Sequence, residues 1–243
     1  EISTFCGKGA TGTNPVPVLA KDAYINTPTG IGIDREDNIL YFSEGERIRK
    51  IDLNVSNPIL ETIAGTGTGG YNDDNKPALE ARINSIYASS IKIIPTGFIP
   101  VQITTMDGSD ITIDPKDILF TDMFRIRLLK KQLDGNYKIY TLIGNGSDTI
   151  DPENGKTTNK TGLSHVAGLA IDSKGNIYYS EPVARRVRVI KWEYDVGANK
   201  YLPKVYTFAG ITNVYGNSGD GGTALNAKFV GAGELVIRFV GTG

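Results

Sequence analysis

One stretch of sequence is written several times along this 243-residue chain. Its clearest copy runs GLAIDSKGNIYYSEPVARRVRVIKW…VYTFAG, from Gly168 to Gly210. An earlier copy reads GIGIDREDNILYFSEGERIRKID…LETIAG, from Gly30 to Gly65. A third, interrupted by an insertion, reads DILFTDMFRIRLLKK…KIYTLIG, from Asp117 to Gly144. Repeats of this length decide architecture before any single residue does, because each unit buries its apolar face only against its neighbours.

Each copy divides into four apolar runs separated by turns. In the last copy they are Gly168–Ile171, Asn176–Ser180, Arg186–Trp192 and Lys204–Ala209. Their Ile, Val, Leu, Tyr and Phe side chains suit a pleated surface. Lys174-Gly175-Asn176 and Glu36-Asp37-Asn38 stand between equivalent runs. Gly and Asn accept positive φ cheaply, so both predict hairpin turns. Four strands per unit, recurring, predict an all-β fold of β-propeller type, with about three complete four-stranded blades and partial blades at both ends. Ile31, Ile33, Leu169 and Ile171 are expected in its core.

The fourth strands end at Gly7, Gly65, Gly144 and Gly210, spaced by 58, 79 and 66 residues. That exceeds the usual ~40–50 residues per blade. The excess lies in the loops that follow, such as Gly65–Ser85 and Gly210–Gly231, and in an insertion, Pro95–Pro115. The insertion's two runs, Ile99–Thr105 and Asp110–Ile113, flank MDGS and predict an extra hairpin projecting from the second blade.

The three motifs IDREDNILYFSE…RIRKID, DILFTD…RIRLL and IDSKGNIYYSE…RVRVI resemble the NHL-repeat β-propeller family. The loops GNSGDGGTALNAKF and GYNDDNKPALEARI resemble the loop that follows the Ala-Gly strand end in the family's long variant. The family's Asn before the third strand is replaced here, with Glu46, Phe124 and Arg185 near that place, and its name-giving His and Leu are absent. The resemblance spans nearly the whole chain. It implies a single NHL-like domain over 1–243 that forms part of a six-bladed ring, completed by missing residues or by a second chain. Three blades alone leave an open inner face and unpaired edges.

Composition narrows the partners. With 26 basic and 27 acidic residues, the net charge is −1, which offers no footprint for nucleic acid. No apolar run approaches the ~20 residues of a membrane helix, so membrane insertion is not expected. The chain starts at Glu1 with no signal peptide, as a processed protein or fragment would. Cys6 is the only cysteine, so it is either a reduced bystander thiol or one half of an intermolecular disulfide.

Acid–arginine pairs are the first candidate site. Glu44, Asp122 and Glu181 end second strands, while Arg47 and Arg49, Arg125 and Arg127, and Arg186 and Arg188 begin third strands. A charged binding mouth is one reading. Structural ion pairs fastening one hairpin to its neighbour are the preferred one, because a catalytic pair is expected once and not in every repeat. The glycine-rich GTGTGG after Gly65 lacks the helix and the Lys-Ser or Lys-Thr pair of a phosphate loop. Tyr71–Asn75 and Asn217–Gly222 carry clustered oxygens. Turn roles are preferred there, with calcium as the alternative, because a calcium loop needs about 6–8 oxygen ligands.

His165 is the only histidine, so neither a zinc set nor a triad for Ser164 can be assembled from this chain. The histidine-bound metal of the peptide-amidating branch of NHL-like propellers is therefore not expected, and no cofactor is. Asn54, Asn145 and Asn159 are glycosylation acceptors in loops, although a chain this rich in Asn, Ser and Thr carries roughly 2.4 such sites by chance. Trp192 and the tyrosines are candidate partner anchors or, more commonly, gap fillers.

The expected function is a non-catalytic binding or structural module that presents loop-built surfaces to a protein partner or to glycans, within a larger extracellular or cell-surface assembly. The alternative is a metal-dependent propeller hydrolase or lyase using Asp34, Asp114 and Asp172.

Overall fold

The computed structural model describes residues 3–12, 14, 17–84 and 90–236. The fold is all-β, with three antiparallel sheets built to one plan. The first contains β1 (Val18–Leu19), β2 (Pro28–Asp34), β3 (Ile39–Glu44), β4 (Arg47–Asp52) and β5 (Ile59–Ala64), in the order β1-β5-β4-β3-β2. The second contains β6 (Lys76–Pro77), β7 (Ile91–Ile93), β10 (Ile118–Asp122), β11 (Arg125–Lys131) and β12 (Tyr137–Ile143), in the order β6-β12-β11-β10-β7. Between β7 and β10 lies a separate hairpin, β8 (Val101–Thr104) with β9 (Asp110–Ile113). The third contains β13 (Lys156–Thr157), β14 (Leu169–Ile171), β15 (Ile177–Glu181), β16 (Arg186–Asp195) and β17 (Lys200–Ala209), in the order β13-β17-β16-β15-β14.

The two-residue outer strand of each sheet comes from the loop that precedes that sheet. It pairs Val18 with Leu60, Pro77 with Lys138 and Thr157 with Lys204. Each loop then closes in a 3-10 turn, Ala20–Asp22, Ala78–Glu80 or Thr158–Lys160, and a fourth such turn, Ala224–Asn226, follows the third sheet. These loops hook onto Gly7 and onto the glycines that directly follow β5 and β17. Gly7, Gly65 and Gly210 donate to the carbonyls of Ala20, Ala78 and Ala224 at 2.8, 2.9 and 2.9 Å. Gly65, Gly144 and Gly210 have φ of +92°, +96° and +92°, and a Cβ on any of them would meet a backbone carbonyl oxygen at 2.2–2.4 Å. Both constraints demand glycine.

Successive sheets pack face to face. Tyr41, Ile48 and Ile63 of the first meet Ile118, Phe120, Leu129 and Ile139 of the second. Leu128, Leu142 and Ile143 of the second meet Ile177, Tyr179, Ile190 and Val205 of the third. The inserted hairpin does not simply project, because Phe98, Ile103 and Ile113 are buried in this second cluster.

Other expectations need correction. Leu169 is buried and Ile171 packs against the core, but Ile31 and Ile33 are exposed. They lie on β2, the edge strand of its sheet, and face an open cleft of about 630 Å³ shared with Ile91, Ile93 and Ile171. The partial blades expected at the ends contribute no strand among residues 3–7 and 231–236, and the rest of the final run lies outside the described residues. The third and fourth strands of the last repeat are longer than expected, running to Asp195 and starting at Lys200.

Leu142→Ala should lower stability by ~2–5 kcal/mol, as large-to-small changes in a closed core do, whereas Ile31→Ala should stay within ~0.5 kcal/mol. Urea denaturation of the two variants checks both, and equal losses would contradict the burial pattern.

Candidate functional site

The acids at the ends of β3, β10 and β15 are buried, and each does the same job. Glu44 accepts from the Asn26 N–H at 2.6 Å, Asp122 from the Asn84 N–H at 2.6 Å, and Glu181 from the Ser164 N–H at 2.9 Å. Each thereby holds the end of the incoming loop against its sheet. Each also pairs with one arginine: Glu44 with Arg49 (Nε to Oε1, 2.6 Å), Asp122 with Arg127 (3.2 Å) and Glu181 with Arg186 (2.7 Å). The residue before each acid adds a second tie, since the hydroxyls of Ser43, Thr121 and Ser180 accept from the N–H groups of Gly30, Ser90 and Gly168 at 2.8–2.9 Å.

The remaining arginines do not pair with those acids. Arg47 donates to the Gly45 and Thr66 carbonyls and Arg125 to the Asn145 carbonyl, with Arg125 also stacked on the Tyr71 ring at 3.9 Å. Arg188 donates to the carbonyls of Asp151 and Glu153. Arg127 reaches further, to Asp74 at 2.8 Å, which also accepts from Thr141 and Tyr71. Asp74, in the oxygen-rich loop Tyr71–Asn75, is therefore a structural acceptor. Burial pushes the Asp122 carboxyl above the usual carboxylate range, with Arg127 and the Asn84 N–H pulling the other way.

The acids named for a metal reading are dispersed. Asp34 accepts from the N–H groups of Glu36 and Asp37, and Asp172 from those of Lys174 and Asn176, so both hold turns. Asp114 pairs with Lys130. Ser164 is buried with its hydroxyl on Glu181, and His165 beside it is half-buried. Cys6 is half-buried against the outer cluster of the first sheet, and burial raises its thiol pKa, which disfavours the reactive thiolate. Asn54 and Asn145 are exposed in turns, but the hydroxyl-bearing Thr161 of the Asn159 acceptor is buried.

A second arrangement went unrecognised in the sequence. The inserted loop and the lengthened β16–β17 hairpin enclose a cleft of about 530 Å³. Its floor is built by packing. The Phe98 and Trp192 rings meet edge to face at 6.1 Å and 72°, and Trp192 Nε1 donates to the Gly175 carbonyl at 2.9 Å. A Cβ at Gly175 would meet the Phe98 ring at 2.4 Å, so this turn needs glycine for contact as well as for its φ of +78°. Tyr194 and Tyr201 are directly paired across the hairpin, edge to face at 5.4 Å, and stand 52% and 55% exposed. Gln102, Asn199, Lys174 and Lys200 complete the walls. The signal was present in KWEYDVGANKYLPK, where Trp192 and Tyr194 alternate before a turn sequence and Tyr201 follows it.

No family model matches the sequence, and no curated protein matches it. Among solved structures, a protein of unknown function from Bacteroides thetaiotaomicron VPI-5482 is similar with a TM-score of 0.54 and 15% identity, covering 86% of this chain and 42% of that one. An auxiliary nutrient binding protein from Bacteroides ovatus ATCC 8483 is similar with a TM-score of 0.46 and 11% identity, covering 78% and 38%. The chain thus spans less than half the length of either, and at such identity the first likeness speaks for the fold alone.

Two measurements test this chemistry. Asp122→Ala strands the buried Arg127 guanidinium and should cost ~3–5 kcal/mol of unfolding free energy; a loss under ~1 kcal/mol would mean the pair is not structural. Asp117 is buried beside Asp114, and its carboxyl is pushed up to about 6, chiefly by burial. A carboxyl whose folded pKa is raised favours the fold below its unfolded pKa, near 4, and loses that contribution as pH rises through about 6. Asp117→Asn should therefore stabilise the protein at pH 7.5 by about 2–3 kcal/mol more than at pH 4, read from urea midpoints at both values.

Proposed function

We propose that this chain is a non-catalytic binding and structural module of NHL-type β-propeller architecture, contributing three blades to a six-bladed ring that a further repeat sheet continues. One observation carries it. The loop after the third sheet repeats the hook of its predecessors, with Gly210 and Ile211 donating to Ala224 and Ala227 at 2.9 and 3.1 Å, as Gly65 and Thr66 do to Ala78 and Ala81 at 2.9 and 3.0 Å. In the earlier loops, the residues before the 3-10 turn supply the outer strand of the next sheet. Here the equivalent Gly222 and Thr223 are exposed and pair with no strand among the described residues.

The face beside this loop is bare in the same way. Two residues before the strand-ending glycine stand Ile63, Leu142 and Phe208. The first two are 6% and 0% exposed beneath the next sheet, and Phe208 is 48% exposed, meeting the Tyr178 ring edge to face. A further sheet with a free outer edge would cover Phe208 and Tyr178 and accept Gly222–Thr223 by strand addition. The first sheet of a second copy is a poor occupant. Its outer edge already holds Val18–Leu19, and Ala20 and Ala23 already fill the position that the 224–227 turn would take. Exposed apolar surface of this kind marks an interaction face in a soluble protein.

Light scattering and binding of a hydrophobic dye test the proposal. The isolated chain should bind the dye and associate with rising concentration, and Phe208→Lys should reduce both while leaving the unfolding midpoint within ~0.5 kcal/mol of the parent. A dye-silent, stable monomer of 26.2 kDa at all concentrations would overturn it.

A further inference from the structure

We propose that the cleft between the inserted loop and the β16–β17 hairpin is a carbohydrate-binding site for an acidic oligosaccharide. The cleft is made from the two elements in which this chain departs from its own repeat. Among the described residues the first and third sheets have no counterpart of the β8–β9 hairpin, and the third and fourth strands of the first and second sheets are shorter than β16 and β17 by several residues. Folding alone does not require the extension. From Trp192 and Pro203 outward, among the described residues, the two strands pair only with each other, in the register Trp192–Pro203 to Asp195–Lys200. Yet it displays two tyrosines with about half their surface in solvent.

The chemistry of the walls selects the ligand class. Sugar rings carry patches of C–H that pack on aromatic faces and pairs of hydroxyls that need both donors and acceptors. Tyr194 and Tyr201, held edge to face, offer the aromatic surface, and such rings combine large apolar area with few torsions to immobilise. Gln102 offers both amide functions. The Tyr194 hydroxyl donates to Asn199 Oδ1 at 2.5 Å, which fixes that amide and leaves its N–H₂ for a ligand hydroxyl. Lys174 and Lys200 line the cleft, and among the described residues no carboxylate does. Asp195, nearby, is occupied in accepting from the Ala198 N–H across the turn. Two cations on the walls above an apolar floor favour a ligand that brings its own carboxylate or sulfate. Apolar surface with a few convergent polar groups is also the general form of a small-ligand site.

Trp192 is the only tryptophan in the chain and forms the floor, so its fluorescence reads occupancy directly. The parent protein is titrated with a panel of acidic oligosaccharides (galacturonate, alginate, chondroitin sulfate and sialylated chains), with cello-oligosaccharides and with poly-glutamate. At least one acidic sugar should shift the emission saturably. Tyr201→Ala should weaken it tenfold or more, and the double variant Lys174→Gln/Lys200→Gln should weaken it and flatten its dependence on salt. Leu133→Ser, on the exposed turn between β11 and β12, should bind as the parent does, and matched thermal midpoints show that the variants fold. Failure of the whole acidic panel, neutral chains binding equally well, binding indifferent to Tyr201→Ala, or poly-glutamate binding as tightly would each overturn the proposal. None of these outcomes bears on whether a further sheet covers Phe208, so the two proposals stand or fall separately.

Discussion

The structure depends on a buried carboxylate used three times. Glu44, Asp122 and Glu181 each sit where a second strand ends, and each joins three things: the incoming loop through a backbone N–H, the third strand through a guanidinium, and its own strand by covalent connection. Burying such a charge is costly unless its acceptor positions are filled. Here the loop N–H and the guanidinium fill them together, so neither the loop position nor the arginine rotamer can change alone. The neighbouring hydroxyl of Ser43, Thr121 or Ser180 then sets where the first strand enters. The apolar clusters between sheets supply most of the driving force, but apolar contact is nondirectional. The carboxylate clamp is what gives each loop one place to sit.

What is invariant in the clamp is the set of groups, and the sequence position of the arginine is not. In the first two sheets two residues separate the acid from the third strand, and in the last there are four, Pro182 to Arg185. By strand register Arg186 stands with Arg47 and Arg125, and Arg188 with Arg49 and Arg127. Yet in the last sheet, the one with the longer turn, Arg186 takes the carboxylate. Arg188, displaced from that role, turns to the carbonyls of Asp151 and Glu153. The acids were legible from sequence as a repeated Ser-Glu or Thr-Asp pair. Which of two arginines answers each acid was not, since that depends on turn length and on a carbonyl supplied dozens of residues away.

The same division holds for the fold. Strand content, the hairpin turns and the strand-ending glycines could be read locally, because φ preference and period-two alternation are local properties. The exposure of Ile31 and Ile33 could not. An apolar residue on an edge strand is covered only if another element arrives there, and a pattern of alternation looks alike in both cases. Phe98 shows the converse. It lies in an inserted segment that reads as a surface hairpin, yet it enters the core because the turn at Gly175 carries no side chain to exclude it.

That contact links the repeat's core to the chain's irregular surface. Phe98 and Trp192 belong on one side to the cluster that holds the second and third sheets together, and on the other they form the floor of the cleft. A floor fixed by core packing, with the indole N–H bonded to Gly175, cannot adjust its shape without loosening the sheets beneath it. Of the walls, Tyr194, Tyr201 and Asn199 brace one another, and Gln102, exposed on the insertion, retains freedom. Such a surface is preorganised where contact area matters and adaptable where hydrogen bonds must be matched, which lowers the entropy lost on binding. The regular repeat supplies rigidity, and the two irregular elements convert it into a shaped, aromatic surface at one point on the stack.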